Sequence, residues 1–239
     1  MGLATAKYFA SQGAHIVIAS RSHDKLNAAL NQIKGKVDAK PLDFTDEEAT
    51  RLFFQSLGNL DHLILMGAGL PAWGKLQEIH TSALENAFKT KFYGYFFCAK
   101  YAIPYLRKDG SILFTIGGAA RSAIPGTTGV AAVNGAIMSM AFTLAKELAP
   151  IRVNILSPGL VDTPAYNWMS NEEKEGFLYD RCDSGRRWRW TASLNVLFES
   201  GSWVFSPPVT HHPGRRVRPC LRIVLVSMYS ILTRFATGG

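Results

Sequence analysis

The chain has 239 residues, 47% of them hydrophobic, and a formal net charge of +8 at neutral pH. This length suits one large α/β domain, and the apolar fraction is sufficient for a full core. We expect no membrane-spanning segment and no secretory signal, because no run reaches the ~18 apolar residues that cross a bilayer and no signal-like pattern is seen at the start.

Helix-like and strand-like patterns alternate over the first 165 residues. Helical periodicity predicts helices over residues 3–12, 22–33, 46–57, 81–106 (one long helix, or two in sequence) and 134–148, and buried apolar runs predict strands over 15–19, 39–42, 62–65, 111–115 and 152–156. Strands that alternate with helices of this length indicate a doubly wound, mostly parallel sheet of the α/β class.

The composition changes after about residue 180. Residues 1–180 carry 17 basic and 16 acidic side chains, whereas residues 181–239 carry nine arginines, no lysine and two acidic residues. A basic tail that binds nucleic acid or a membrane surface is one interpretation. The Arg-, Pro-, Trp- and His-rich sequence is more typical of an irregular segment or of out-of-frame translation. We therefore predict a domain over residues 1–178, an irregular tail over 179–239, and neither a nucleic-acid nor a membrane partner.

The cysteines and histidines indicate no metal site. Cys98, Cys182 and Cys220 share no metal-ligand spacing, and their odd number does not fit a framework of paired disulfides. We expect reduced thiols and a cytoplasmic location.

Three segments carry a family resemblance: GLATAKYFASQGAHIVIASRS at residues 2–22, MGAG at 66–69, and SPGLVDTP at 157–164. In order and spacing they resemble the short-chain dehydrogenase/reductase family over about residues 1–175. The resemblance implies a Rossmann-type fold and a nicotinamide cofactor. Family members place a strand and a Gly-rich turn before the first helix, and here Gly2 is the only glycine of that turn, so Met1 is expected to be an internal methionine or the start of a fragment.

The missing strand would lie in the middle of the sheet. A gap there leaves backbone groups buried and unpaired at ~1–3 kcal/mol each, which would exceed the usual stability of ~5–15 kcal/mol. We therefore expect the chain to lack its first strand and to be poorly stable.

The residues that would bind the cofactor favour NADP(H). Arg21 stands 19 residues after Gly2, where an acidic residue would bind the ribose of NAD. With Ser20 and Ser22 beside it, a guanidinium suits a 2′-phosphate instead, although a solvated surface arginine is the alternative. The resemblance implies further cofactor contacts at Asp43, Phe44, Gly67, Ala68, Gly69, Pro158, Gly159, Val161 and Thr163, and Asp43 could equally be a turn residue.

The four catalytic roles of the family have all changed residue type. Gly118 stands in the place of its serine, Val130 of its tyrosine, Asn134 of its lysine and Lys91 of its asparagine. A valine cannot carry a proton, so the family's usual proton path is excluded.

Two hypotheses remain for the chemistry. One is loss, which would leave a non-catalytic NADP(H)-binding pseudoenzyme. The other is relocation, in which Lys91 has a pKa lowered by desolvation and acts as the general acid, while Thr127, Thr128 or Ser122 polarises a carbonyl. Atypical family members with a lysine on this helix and no tyrosine are similar to this chain. We predict an NADP(H)-dependent oxidoreductase acting on a small carbonyl or alcohol. In relatives the helix with the aromatic residues at 92–101 packs against its two-fold mate, so the resemblance implies a homodimer or homotetramer, although as core packing these residues would need no partner.

Overall fold

The computed structural model describes residues 1–67, 72–121, 123–158, 170 and 222–226. The helices are α1 (Gly2–Ser11), α2 (His23–Leu30), α3 (Glu47–Leu57), α4 (Thr81–Ala87), α5 (Gly94–Ala102) and α6 (Thr128–Glu147), and the strands are β1 (His15–Ser20), β2 (Val37–Pro41), β3 (Leu60–Leu65), β4 (Leu106–Thr115), β5 (Arg152–Leu156) and β6 (Arg222–Val226).

The strands form one sheet in the order β2-β1-β6-β3-β4-β5, and every neighbouring pair is parallel. Helices α1 and α2 pack on one face, where Ala6, Ala10 and Leu26 join the core. Helices α3, α5 and α6 cover the other face. The prediction of a doubly wound parallel sheet is therefore confirmed.

Strand β6 lies in the middle of this sheet, between β1 and β3. Its Ile223 pairs with Ile16 and His62, and its Val226 pairs with Ala19 and Leu65. The Met66 amide donates to the Val226 carbonyl at 2.9 Å. The side chains of residues 223–226 are at most 2% exposed. A run of β-branched and apolar residues suits a strand covered on both faces.

Two expectations about the tail and the gap are therefore corrected. Strand β6 occupies the place of the strand expected to be missing, so the expectation of an open central gap was wrong. For residues 222–226, the expectation of irregular structure was also wrong. The argument for poor stability fails with the gap, because β6 supplies the missing backbone partners. The rest of the predicted tail lies outside the described residues, and the division at residue 178 remains a prediction.

Side-chain caps and a π-helical segment mark the boundaries of several helices. The side chains of Ser22 and Asp46 accept hydrogen bonds from the first turns of α2 and α3. The long helix expected over residues 81–106 is two helices joined by a π-helical segment, Phe88–Tyr93. Gly94 starts α5 directly against the ring of Phe44, where a Cβ would overlap that ring.

Helix α6 is the one helix among the described residues that is long and apolar enough to cross a bilayer by those two criteria alone. This is weak evidence, because a core helix of a globular domain meets the same criteria. Here α6 places Val133, Ile137 and Ala141 in the core.

The central position of β6 is testable at Val224, which is fully buried. Val224→Asp would place an unpaired charge between β1 and β3 and should lower the free energy of unfolding by at least about 3 kcal/mol, or prevent folding. The matched control Ile223→Val removes one methyl group and should cost about 1 kcal/mol. Urea unfolding followed by circular dichroism measures both, and equal effects would contradict this sheet order.

Candidate active site

The candidate site lies at the carboxyl edge of the sheet. Helix α1 runs antiparallel to β1, to which it is joined through Gly13, so its first turn stands at that edge. The Thr5 hydroxyl contacts the Met66 sulfur at 3.5 Å, just beyond the end of β3. No side chain caps the first turn of α1, so its backbone N–H groups are available to an anion.

An open pocket beside β1 brings together residues that the sequence placed in separate motifs. It is lined by Arg21, Pro41, Leu42, Asp43 and Ala49. Arg21 is exposed. One Asp43 carboxylate oxygen accepts hydrogen bonds from the backbone and hydroxyl of Thr45, at 3.0 and 2.8 Å. Asp43 is therefore a turn residue, but the turn uses only one of its two carboxylate oxygens.

The structure places the other cofactor candidates differently. Ser20 and Ser22 flank Arg21, and Ser22 is also the cap of α2. Phe44 is 1% exposed and belongs to the core. Gly67 is the second residue after β3, and Pro158 is the second residue after β5, both at this edge of the sheet. Ala68, Gly69, Gly159, Val161 and Thr163 lie outside the described residues, as does Ser122.

Tyr95, which the sequence analysis assigned only to an aromatic cluster, joins the ends of two strands. Its hydroxyl lies 3.0 Å from the carbonyl oxygens of Leu65 and Gly67 and 3.2 Å from that of Thr115. Burial raises the pKa of the Tyr95 phenol well above its ordinary value. The hydroxyl therefore stays protonated and holds β3 and β4 together, and it cannot serve as the acid of the site.

Lys91 is buried beside these strand ends. It lies in the π-helical segment, its residue is 8% exposed, and its Nζ donates to Asn134 Oδ1 at 2.7 Å. The Nζ is 6.0 Å from the centre of the Tyr95 ring. Burial lowers the pKa of Lys91 to about 8. Lys91 is therefore not a solvent-facing helix lysine.

Asn134 and Lys91, which the family resemblance aligns with the family's lysine and asparagine, are in direct contact. Asn134 Oδ1 also accepts from the Gly117 amide at 3.0 Å, and its Nδ2 donates to the Val130 carbonyl at 2.8 Å. The sequence gives Lys91 and Asn134 separately, but not this contact, which depends on how α6 packs against the π segment.

The remaining candidates for polarising a carbonyl differ in availability. The Thr127 hydroxyl donates to the Ile124 carbonyl at 2.7 Å. Thr128 is exposed at the start of α6. A Cβ added to Gly118 would meet no atom within 4 Å, so space is open where the family has its serine. Within the described residues, no group of three or more His, Cys, Asp or Glu side chains is arranged to hold a metal ion.

Comparison with known proteins agrees with this architecture. The enoyl-(acyl carrier protein) reductase family matches residues 1–190. Similar proteins include an uncharacterized oxidoreductase, YxbG, of Bacillus subtilis (28% identical, 73% of this chain and 68% of the relative). Another is a 3-oxoacyl-[acyl-carrier-protein] reductase, FabG, of Thermotoga maritima (28% identical, 74% and 76%). A small-chain dehydrogenase crystallised with NADPH is 28% identical, with a TM-score of 0.64 over 89% of this chain and 96% of that one.

The fold and its edge site define a Rossmann-type nucleotide-binding protein. With the family match over residues 1–190, the chain belongs to the short-chain dehydrogenase/reductase family.

The burial of Lys91 predicts how stability changes with pH. The pKa of Lys91 is about 8 in the folded chain, whereas an ordinary lysine has a pKa of 10.5. Between these two pH values the unfolded chain therefore binds more protons than the folded chain. Stability therefore rises with pH through this window, and the full cost of burying the charged Lys91 side chain is present below pH 8. Lys91→Met removes a penalty of ~3 kcal/mol at pH 7 and loses a hydrogen bond worth ~1 kcal/mol, a net gain of about 2 kcal/mol.

The gain from Lys91→Met should disappear between pH 7 and pH 10, as measured by urea unfolding at each pH. Lys89→Met, on the same π segment but exposed, is the matched control and should show no such trend. A constant difference between the Lys91→Met variant and the wild type across this range would mean that Lys91 is not buried as a cation.

Proposed function

We propose that the chain is an NADP(H)-dependent oxidoreductase that transfers a hydride between the nicotinamide and a small carbonyl or alcohol. The observation that carries this proposal is the buried ammonium group of Lys91 at the carboxyl edge of the sheet, bonded to Asn134. A buried ammonium group there supports the presence of a proton donor beside the crevice where doubly wound sheets bind their ligands.

The residues of the cofactor half fit NADP(H). The uncapped first turn of α1 suits the pyrophosphate, and the pocket that contains Arg21 suits a 2′-phosphate. Arg21 forms no ion pair with the described residues, so its charge is available to a ligand. Two similar proteins support the same cofactor: the small-chain dehydrogenase solved with NADPH, and a protein named NADPH-dependent aldehyde reductase 1 of Arabidopsis thaliana (27% identical).

The proton step is assigned to Lys91. NADPH, when bound at this edge, would supply the hydride that the carbonyl carbon accepts. As negative charge develops on the carbonyl oxygen, the Lys91 ammonium donates a proton to it and becomes a neutral amine. Solvent then returns a proton to Lys91. A lysine with a pKa near 8 is mostly protonated at pH 7 and is a much stronger acid than an ordinary lysine, which favours this role.

Arg21→Gln tests the cofactor assignment. Losing charge-assisted hydrogen bonds to a 2′-phosphate should weaken NADPH binding about 10- to 100-fold, with little effect on NADH. The change in NADPH fluorescence on titration measures both affinities. Arg107→Gln is the control, because Arg107 is also exposed but begins β4 at the opposite edge of the sheet. Equal losses for both cofactors would remove Arg21 from the 2′-phosphate site.

Lys91→Met tests the catalytic assignment. NADPH oxidation with a panel of ketones and quinones should fall at least about 100-fold, while NADPH affinity should change little. Lys89→Met should retain turnover. Unchanged turnover in the Lys91→Met variant would refute the relocated proton path. NADPH binding by the wild type without turnover of any compound would favour the alternative, a non-catalytic NADP(H)-binding protein, for which the loss of the family's tyrosine at Val130 is the specific observation.

We also propose a homodimer or homotetramer, located in the cytoplasm, that associates through the aromatic surface of the π segment, α5 and α6. Tyr93, Phe96 and Phe142 are 49%, 40% and 51% exposed, and association with a second copy through these rings would remove their apolar surface from water. The buried free thiol of Cys98 is compatible with a reducing compartment.

Light scattering of the purified chain tests this association. The wild type should be an oligomer, and Phe96→Asp with Phe142→Asp should shift it to a monomer, because each new charge would have to be desolvated at the interface. Leu52→Asp, a change at an equally exposed side chain on α3, should leave the mass unchanged. A monomeric wild type would exclude the proposal.

A further inference from the structure

We propose that Asn134 is the positioning residue of the site: its side-chain oxygen fixes the Lys91 ammonium and, as an uncharged acceptor, sets how readily that group gives up its proton. What Lys91 does with the proton rests on the proposed function. The pairing of the two side chains rests on the described contacts alone.

The orientation of the Asn134 amide is determined by its other partners. The Gly117 N–H can only donate, so the atom facing it at 3.0 Å must be the oxygen. The Val130 carbonyl can only accept, so the atom facing it at 2.8 Å must be the amide nitrogen. An ammonium also only donates. Lys91 therefore meets Oδ1, and a flipped amide would break all three hydrogen bonds.

The position of Asn134 is equally constrained. Its residue is 2% exposed, and its bond to Val130 ties it to the preceding turn of α6. A Cβ added to Gly117 would lie 3.3 Å from Asn134 Nδ2, so the glycine allows the strand end to pass close to the amide. Lys91 has a long flexible side chain that would otherwise lose considerable rotamer entropy on being ordered. A rigid acceptor on α6 gives it one location.

The charge of Lys91 is not neutralised by its surroundings. Among the described residues, it forms no ion pair. Tyr95 from α5 contacts it and stays protonated. Glu85 on α4 and Lys89 on the π segment are exposed, and Lys146 and Glu147 lie at the far end of α6. A neutral amide gives a hydrogen bond without a countercharge, so the ammonium is held in place but remains easy to deprotonate.

Two variants should move the pKa of Lys91 in opposite directions. Asn134→Asp supplies a countercharge and should raise it by at least about one unit. Asn134→Ala removes the acceptor, disfavours the charged form and should lower it by about half a unit or more. General loosening of the structure would shift both variants towards the ordinary value of a lysine, so only the proposed role predicts opposite signs.

The measurement is a pH titration of the chain carrying ¹³C-labelled lysine ε-carbons, followed by NMR, with the Lys91 signal identified by its loss in the Lys91→Met variant. Asn27→Asp, an exposed change on α2 at the other face of the sheet, is the control and should leave the Lys91 titration unchanged. Where the wild type turns over, the alkaline limb of the pH–rate profile for carbonyl reduction should move with the NMR value.

Each outcome is decisive. Opposite shifts support the role of Asn134, and an unchanged Lys91 titration in both variants overturns it. If Asn134→Asp does not fold, Asn134→Ala alone decides: a lowered value supports the proposal, and an unchanged or raised value contradicts it. Because the titration needs neither cofactor nor substrate, opposite shifts without any turnover would uphold the pairing and reject only the proposed reaction.

Discussion

The parallel pairing of β6 with β1 and β3 is the interaction on which the structure depends. Residues 222–226 supply the backbone partners of both neighbouring strands, and their side chains complete the core on both faces of the sheet. Without β6, the sheet would divide into a two-stranded and a three-stranded part, each with an apolar, unpaired edge. A strand from the far end of the chain therefore completes the arrangement that a strand before α1 would provide, because the sheet requires a backbone and apolar side chains at this position, not a particular chain order.

The site follows from this arrangement. On one side of β6 the sheet continues with β1 and then β2, and on the other side with β3, β4 and β5. The crevice lies beside β6, where these two halves of the sheet diverge. Arg21 stands at the end of the strand on one side of β6. Tyr95 holds the ends of β3 and β4 on the other side, which is also the side of Gly117 and the pair formed by Lys91 and Asn134. The Arg21 guanidinium and the Lys91 ammonium are thus presented by the same edge of the sheet.

Much of the fold could be read from local patterns, because helix and strand periodicity and capping residues act over short range. Arg21 and Asp43 were also recognisable, since Arg21 directly follows β1 and Asp43 is the second residue after β2. The central strand was not recognised, although Ile223 begins four consecutive apolar residues. Strand pairing across about 200 residues leaves no local signature, and the unusual composition around this run favoured irregular structure. The contact between Lys91 and Asn134 was missed for a similar reason: it joins residues 43 apart and depends on a π-helical turn that periodicity does not reveal.

The central claim is that Lys91 replaces the tyrosine of the family as the proton donor. It is tested most directly by a crystal structure of the chain with NADP⁺ and an unreactive carbonyl or alcohol analogue. We predict that Lys91 Nζ keeps its bond to Asn134 and lies within about 3 Å of the analogue's oxygen, directly or through one ordered water. An analogue oxygen bonded by other groups, with Lys91 directed away from it, would contradict the account.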